Sequence, residues 1–402
     1  MNNRIWAWLF YALCLAACVR PASSTSVAVL SVPTAFPSSI TSPLQTSTIE
    51  IQKFKPTQDI SATPASGSRI TPQPPAVTGT PTVAPPLPPG DHQEYSVVLI
   101  PLEGQINQPE AEISGMAWFS DTLVLLLKFP DRFKNQGGGS VFAIQKADLL
   151  SFLDGESSGP ITPRAVPFYA PGIRDRIPGF EGFESIAFSG DRVYLTIEAS
   201  QEGMLSYLVS GWYEPGLESI YLDPDRRATI EPQTQLPDLG DESLVSFGRR
   251  LATVYAANGT AVNPAPKAHL FAQDLSLTTE LDFPYIEYRI SDATPADDSG
   301  RFWVTNIFTP SDAQLQSILD PLQEMYGKGQ THNASSLVER LIELQFTEQG
   351  VILAGTPPIQ LELSADGIAR DWSAIARLDQ RGFLLATGGN PQTLLGFVPL
   401  IP

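Results

Sequence analysis

Four carboxylates occupy comparable places along this 402-residue chain. Glu184, Glu242 and Asp292 each stand near the start of a short strand-like segment, and Glu198 follows the end of another. Ser114 and Ser373 hold the same position in two further copies of the segment, while Lys128 and Asn306 follow the partner strands. Carboxylates that converge repel one another, which raises their pKa values or calls for a cation. Glu184, Glu242 and Asp292 are the candidate metal ligands, and a hard, oxygen-seeking ion such as Ca²⁺ suits them better than zinc. Glu184 and Glu198 are also candidate catalytic residues, able to act as general acid and base on a neutral ester or sugar. Ser114, Lys128, Glu242, Asn306 and Ser373 would complete a ligand site. A solvated acidic rim compensated by Lys128 is the plainer reading of the same residues. Other chemistries fare worse. The three histidines (His92, His269 and His332) show no metal-ligand spacing, no Gly-x-Ser-x-Gly elbow is present, and Gly137-Gly138-Gly139 lacks the Lys-Ser/Thr of a phosphate loop and reads as a turn.

The elements that must position these groups form a repeat. Ser114–Trp118 turns at Asp121 into Leu123–Leu127; Glu184–Phe188 turns at Gly190-Asp191 into Val193–Ile197; Glu242–Ser246 turns at Gly248 into Leu251–Tyr255. A less regular copy runs from Asp292 through Asp297–Gly300 to Phe302–Thr305, and a fifth from Ser373–Arg377 through Asp379–Gly382 to Phe383–Thr387. Gly and Asp at the turns supply the positive φ of tight hairpins. With room for two more strands per copy, the pattern predicts an all-β fold, a β-propeller of five or six four-stranded blades. Leu394–Leu400 and Glu94–Pro101 would share the last blade and close the ring. The innermost strands of such a fold line a central channel, so the first residue of each copy faces its mouth. Between strands of the fourth copy, Leu315, Ile318, Leu319, Leu322 and Met325 recur at helical spacing, which predicts one helical insertion over residues 311–326, kinked or divided at Pro321.

The N-terminus predicts a different environment. Residues 1–18 read as a lipoprotein signal peptide, with Arg4 before an apolar run and Leu15-Ala16-Ala17-Cys18 as a lipobox whose cysteine takes the lipid. Residues 19–92 contain fourteen prolines and neither Trp nor Tyr, the composition of a disordered linker or stalk. Residues 93–402 form the propeller domain. Of the chain's two cysteines, Cys14 would be lost with the signal and Cys18 lipidated, so the domain must be stable without disulfides.

Two stretches carry a family resemblance. Phe183–Leu195 and Asp371–Asp379 resemble the "EGIA" strands of the esterase-like phytase domain, which sits among gluconolactonase-like propellers. The usual Glu-Gly pair stands here as Glu184-Ser185 and Glu242-Ser243, and as Ser373-Ala374 in the last copy. The resemblance implies the propeller fold and a hydrolase of ester or phosphoester type. Charge restricts the substrate. Residues 1–92 hold five basic and three acidic side chains, leaving 20 basic and 40 acidic in the domain, an excess that disfavours nucleic acid and polyanionic substrates. The expectation is a monomeric, lipid-anchored extracytoplasmic protein that presents a ligand-binding propeller to a small molecule, glycan or protein. A metal-assisted hydrolase and a protein-interaction scaffold are the alternatives.

Overall fold

The computed structural model describes residues 93–108, 110–389 and 392–400. The signal peptide, the lipid-bearing Cys18 and the linker expected from the sequence lie outside the described residues. Among those described, no helix is long and apolar enough to cross a membrane.

The fold is built from strands, and its sheets stand radially about one axis. Five antiparallel hairpins head the sheets. Their first strands are Ile113–Phe119, Phe180–Ser189, Asp241–Phe247, Arg289–Ala293 and Trp372–Leu378. Each of these first strands packs beside the next, and the last returns to the first, so they form a closed inner ring. Outward from each run further strands. The first sheet continues through Thr122–Leu127, Gly139–Gln145 and Arg164–Tyr169, and the third through Arg250–Tyr255, Lys267–Ala272 and Leu277–Asp282. The outer strands of the first two units pair in parallel, Ile220 with Phe168 and Tyr221 with Tyr169, joining them into one eight-stranded sheet.

The unbroken apolar second strands follow from this layout. In Leu123–Leu127, Leu123, Leu125 and Leu127 face a core shared with Ala374, Leu384 and Phe397 of the last unit. Val124 and Leu126 point the other way, into a core shared with Ile186, Val193 and Leu195. A strand with sheets on both sides buries both of its faces, so alternation gives way to a continuous apolar run. The same arrangement continues around the ring. Tyr194 and Leu208 meet Leu244 and Phe271, Val254 and Leu270 meet Val304 and Ile342, and Trp303 and Leu341 meet Phe383 and Val398.

Ring closure differs in one respect from the sequence expectation. Val98–Ile100 pairs with Leu395–Pro399 in the last sheet, but Glu94–Tyr95 pairs in parallel with Ile359–Leu361 of the neighbouring one. The N-terminal segment therefore staples two sheets instead of one. Glu94 fixes this crossing: its carboxylate accepts from Thr331 N, Thr331 Oγ1 and His332 N, and lies 2.7 Å from His332 Nδ1. His332 Nε2 in turn accepts from Glu339 N, so His332 stands in the tautomer that donates from Nδ1.

The insertion is not one helix. A 3₁₀ segment, Pro310–Leu315, and a short α-helix, Pro321–Tyr326, are separated at the proline, and Gln316 is already extended. Ile318 is fully exposed and Leu319 and Met325 about half exposed, so only Leu315 and Leu322 of the periodic set enter a core. The helix Lys146–Leu153, which has no marked apolar periodicity to announce it, sits between two strands of the first unit.

Candidate functional site

The residue that opens each copy of the repeat is set by a recurring irregularity. In all five inner hairpins the pairing register shifts by one residue near the start of the first strand. The shifts fall at Ser114, at Glu184-Ser185, at Glu242, at Ser291-Asp292 and at Ser373. A β-bulge of this kind leaves an extra residue out of the ladder and re-aims its side chain. Two of the bulges are held by a threonine on the opposite strand: Ser185 N donates to Thr196 Oγ1 and Asp292 N to Thr305 Oγ1, each at 3.0 Å. The backbone amide that the bulge would orphan is thereby satisfied.

Around the axis the bulge residues sort into two groups. The first is an ionic cluster. Lys128, at the end of its strand, places Nζ 2.9 Å from Glu184 and 3.9 Å from Glu198. Arg289 lies 3.8 Å from Glu242 and 3.3 Å from Asp312, and forms a hydrogen-bonded ion pair with Asp371. Glu184, Glu198 and Glu242 are buried, while Lys128 keeps 30% of its side-chain surface. Lys128 is pressed into position by Phe183, whose N–H donates to the Lys128 carbonyl, and by Gly182, where any β-carbon would collide with the lysine stem.

The electrostatics follow from burial. Removal from water, with the Glu184 charge adding to it, pushes the Glu198 carboxyl up to about 8, and Lys128 and the Gly240 amide only partly offset this. Burial likewise raises Glu242 well above the usual carboxylate range despite Arg289. Burial works to lower Lys128, but Glu184, Glu198 and Glu242 outweigh it and hold the ammonium above its ordinary value. Burial therefore favours the protonated form of Glu198 beside the Lys128–Glu184 contact. Glu198 Oε1 and Ser114 Oγ are buried with no hydrogen-bond partner in the protein.

The second group ties the ring together. Asp292 accepts from Ser185 Oγ at 2.7 Å and from Ile375 N at 2.9 Å, so one carboxylate links three inner strands. Ser373 Oγ donates to the Ile113 carbonyl, bridging the last hairpin to the first. Asn306 is fully buried: its Nδ2 donates to the Glu287 and Arg289 carbonyls, and its Oδ1 accepts from Arg340, which is paired with Asp320. The structure thus brings Lys128, Glu184, Glu198 and Glu242 together and sets Asp292, Asn306 and Ser373 into the frame. Among the described residues, no three His, Cys, Asp or Glu side chains converge in a way that could hold a metal ion. The positive charge beside Glu184, Glu198 and Glu242 comes from Lys128 and Arg289.

Sequence reasoning missed Arg289, Asp312 and Asp371. Arg289 lies three residues before Asp292, at the true start of its strand, which the irregular fourth copy obscured. It also left His269 isolated. The structure pairs His269 Nδ1 with Asp241 at 2.9 Å, and Thr253 Oγ1 donates to the same carboxylate oxygen. That residue directly precedes Glu242.

No family model matches the chain, and no curated protein matches it. Solved structures share its layout at a distance. A glucose dehydrogenase is 14% identical, with 74% of this chain and 99% of that one covered and a TM-score of 0.39. The exo-β-1,3-galactanase of Phanerochaete chrysosporium is 8% identical over 76% of this chain and 64% of that one, with a TM-score of 0.44. The soluble aldose sugar dehydrogenase of Escherichia coli is 12% identical over 76% and 99%, with a TM-score of 0.36. These are remote likenesses of overall layout, and the site geometry alone carries the functional reading.

Proposed function

We propose that the chain is a lipid-anchored extracytoplasmic protein whose five-bladed β-propeller binds a small, uncharged, hydroxyl-bearing ligand at the channel mouth. The observation that supports this is the state of the mouth cluster. Glu198 Oε1 lies buried beside the Lys128–Glu184 pair, and Ser114 Oγ is buried in the bulge of the first hairpin, each with no hydrogen-bond partner in the protein. Burying such atoms unpaired costs about 1–3 kcal/mol each, which hydroxyls of a ligand would recover. Lys128 and Arg289 already offset the ionised carboxylates, so neither a strong cation nor a strong anion is called for. Anchoring through Cys18 accounts for a disulfide-free domain carried on a proline-rich linker. Titrating the full-length chain in lipid nanodiscs with a panel of neutral sugars and polyols, read by calorimetry, tests the reading. Binding that weakens at least tenfold in Glu198→Leu and Lys128→Met is expected; unchanged affinity in both variants would refute it.

A hydrolase is the second reading, favoured by one observation. A carboxyl raised as Glu198 is, next to a second carboxyl held 2.9 Å from Lys128, is the pairing of unlike environments that acid–base chemistry uses. The esterase-like phytase resemblance agrees with ester cleavage, though the acidic cluster does not suit a phosphate-rich substrate. Turnover of neutral aryl esters, abolished in Glu198→Gln with binding retained, would distinguish catalysis from binding alone.

A further inference from the structure

We infer that the flank between the first two units holds a second binding site, distinct from the mouth, for a neutral aromatic ring compound. A cavity of about 630 Å³ opens there, within the size range of small-molecule sites. Its chief walls are Phe168, Tyr169, Phe180, Phe183 and Tyr221. It exists because the two units are joined at their outer edges: the parallel pairing of Phe168 and Tyr169 with Ile220 and Tyr221 closes one side. The glycine run at 137–139, which reads in the sequence only as a turn, closes the other. At Gly138 a β-carbon would stand 2.6 Å from the Phe168 carbonyl oxygen, so only glycine lets this loop approach so closely.

The lining selects the occupant. The three phenylalanine rings meet edge to face, Phe168 with Phe183 at 85° and Phe180 with Phe183 at 72°, with centroids 5.3 and 5.2 Å apart, while Tyr169 and Tyr221 stack at 13°. A further ring inserted among them continues a geometry worth about 0.5–1.5 kcal/mol per pair beyond its buried area. The charged residues of the rim balance: Lys134 and Arg174 stand with Asp131 and Asp175. Arg174 is committed twice over, 3.3 Å from Asp131 and with its guanidinium 4.7 Å above the Phe180 ring. The rim therefore offers an ionic ligand no net counter-charge, whereas a neutral one gives up no ion pair on entry. Arg174 and Asp131 are both half exposed and come from separate segments, so breaking their ion pair leaves the core undisturbed.

The probe is 2-naphthol, a two-ring compound that is neutral at pH 7, observed by saturation-transfer NMR on the full-length chain in nanodiscs against empty nanodiscs. A saturable signal is expected, lost at least tenfold in Ala170→Trp, which fills the cavity from a partly exposed wall position. If Ala170→Trp does not fold, Arg174→Trp serves instead, since it places an indole over Phe180 from the half-exposed rim. Methyl β-D-glucopyranoside, offered as competitor, should not displace the probe. No saturable signal, an unchanged signal in a folded cavity-filling variant, or displacement by the sugar would each overturn the inference.

Discussion

Replacing Glu198 with glutamine should remove one part of the protein's pH dependence. The carboxyl is raised from an ordinary 4.5 to about 8, chiefly by burial and then by the charge of Glu184. Between those two values the folded chain keeps a proton that the unfolded chain releases. A group of this kind favours folding most at the acidic end of the window and loses that contribution as pH rises toward the folded value. Each pH unit inside the window is worth about 1.4 kcal/mol, so from pH 5 to pH 8.5 the wild-type chain should lose roughly 3–4 kcal/mol through this residue alone. Glutamine has the same shape and never ionises. At pH 5 Glu198→Gln should lie within about 1 kcal/mol of wild type, because both then present a neutral side chain. At pH 8.5 the variant should be the more stable by roughly 3 kcal/mol. Urea denaturation followed by tryptophan fluorescence across pH 5–9 measures the difference, and all other titrating groups are common to both proteins. A difference that changes by less than about 1 kcal/mol over that range would refute the reasoning, since it would mean that Glu198 is ionised in the fold and its burial compensated.

Other perturbations report on separate parts of the frame. Lys128→Met leaves Glu184 buried beside Glu198 without its cation; allowing for the lysine's 30% exposure, we expect a loss of about 2 kcal/mol at pH 7 in urea melts, shrinking as the medium is acidified. Asn306→Ala strips the Arg340 Nε donor and two backbone carbonyls of partners in a fully buried setting, and should lower stability by about 3 kcal/mol in the same assay. Glu94→Gln should loosen the N-terminal staple, giving faster hydrogen exchange at Thr331 and His332. Hydrogen bonds from His332 and Thr331 outweigh burial and hold the Glu94 carboxyl below its ordinary value. Its stabilising contribution is therefore complete above about 4.5 and lost as pH falls through the folded value, and the variant should converge on wild type there.

The hairpins were legible in the sequence because each carries its own signals: a glycine or aspartate turn and an apolar second strand that must be buried on both faces. The recurrence of a polar residue at the head of each copy was legible too. Its cause, the bulge, was not, because a register shift depends on where the partner strand's hydrogen bonds fall and leaves no compositional trace. The fourth copy shows the cost of that blindness. Reading its strand from Asp292 omitted Arg289, which begins the strand and gathers Glu242, Asp312 and Asp371 from three separate segments. Contacts of that kind join residues far apart in the chain, and no local pattern encodes them. The helical insertion failed for the opposite reason. Its periodicity was real, but the chain turns extended at Gln316 and restarts as a helix only at Pro321, whose ring suits a first helical position, and Ile318 and Leu319 between them are left in solvent.

The bulge also explains how two adjacent positions serve opposite ends: Asp292, like Ser185, follows the position that Glu184, Glu242, Ser291 and Ser373 share. Every inner hairpin carries such a bulge, and what its side chains do depends on which donors surround them. Asp292 meets a hydroxyl and a backbone amide from neighbouring strands and becomes a cross-link. Ser373 is small enough to reach the neighbouring carbonyl and does the same with one bond. Glu184 and Glu242 are longer, extend past the backbone and meet Lys128 and Arg289 instead. Reach at the shared position therefore separates Glu184 and Glu242, which meet cations, from Ser373, which stays against the neighbouring backbone. Glu184→Asp shortens the reach by one methylene and withdraws the carboxylate from Lys128. It should weaken ligand binding at the mouth at least tenfold while costing the fold less than Asp292→Glu, which forces an extra methylene into the crowded axis at about 1–3 kcal/mol. Equal destabilisation by the two substitutions would show that the whole ring is frame and the mouth cluster has no separate function.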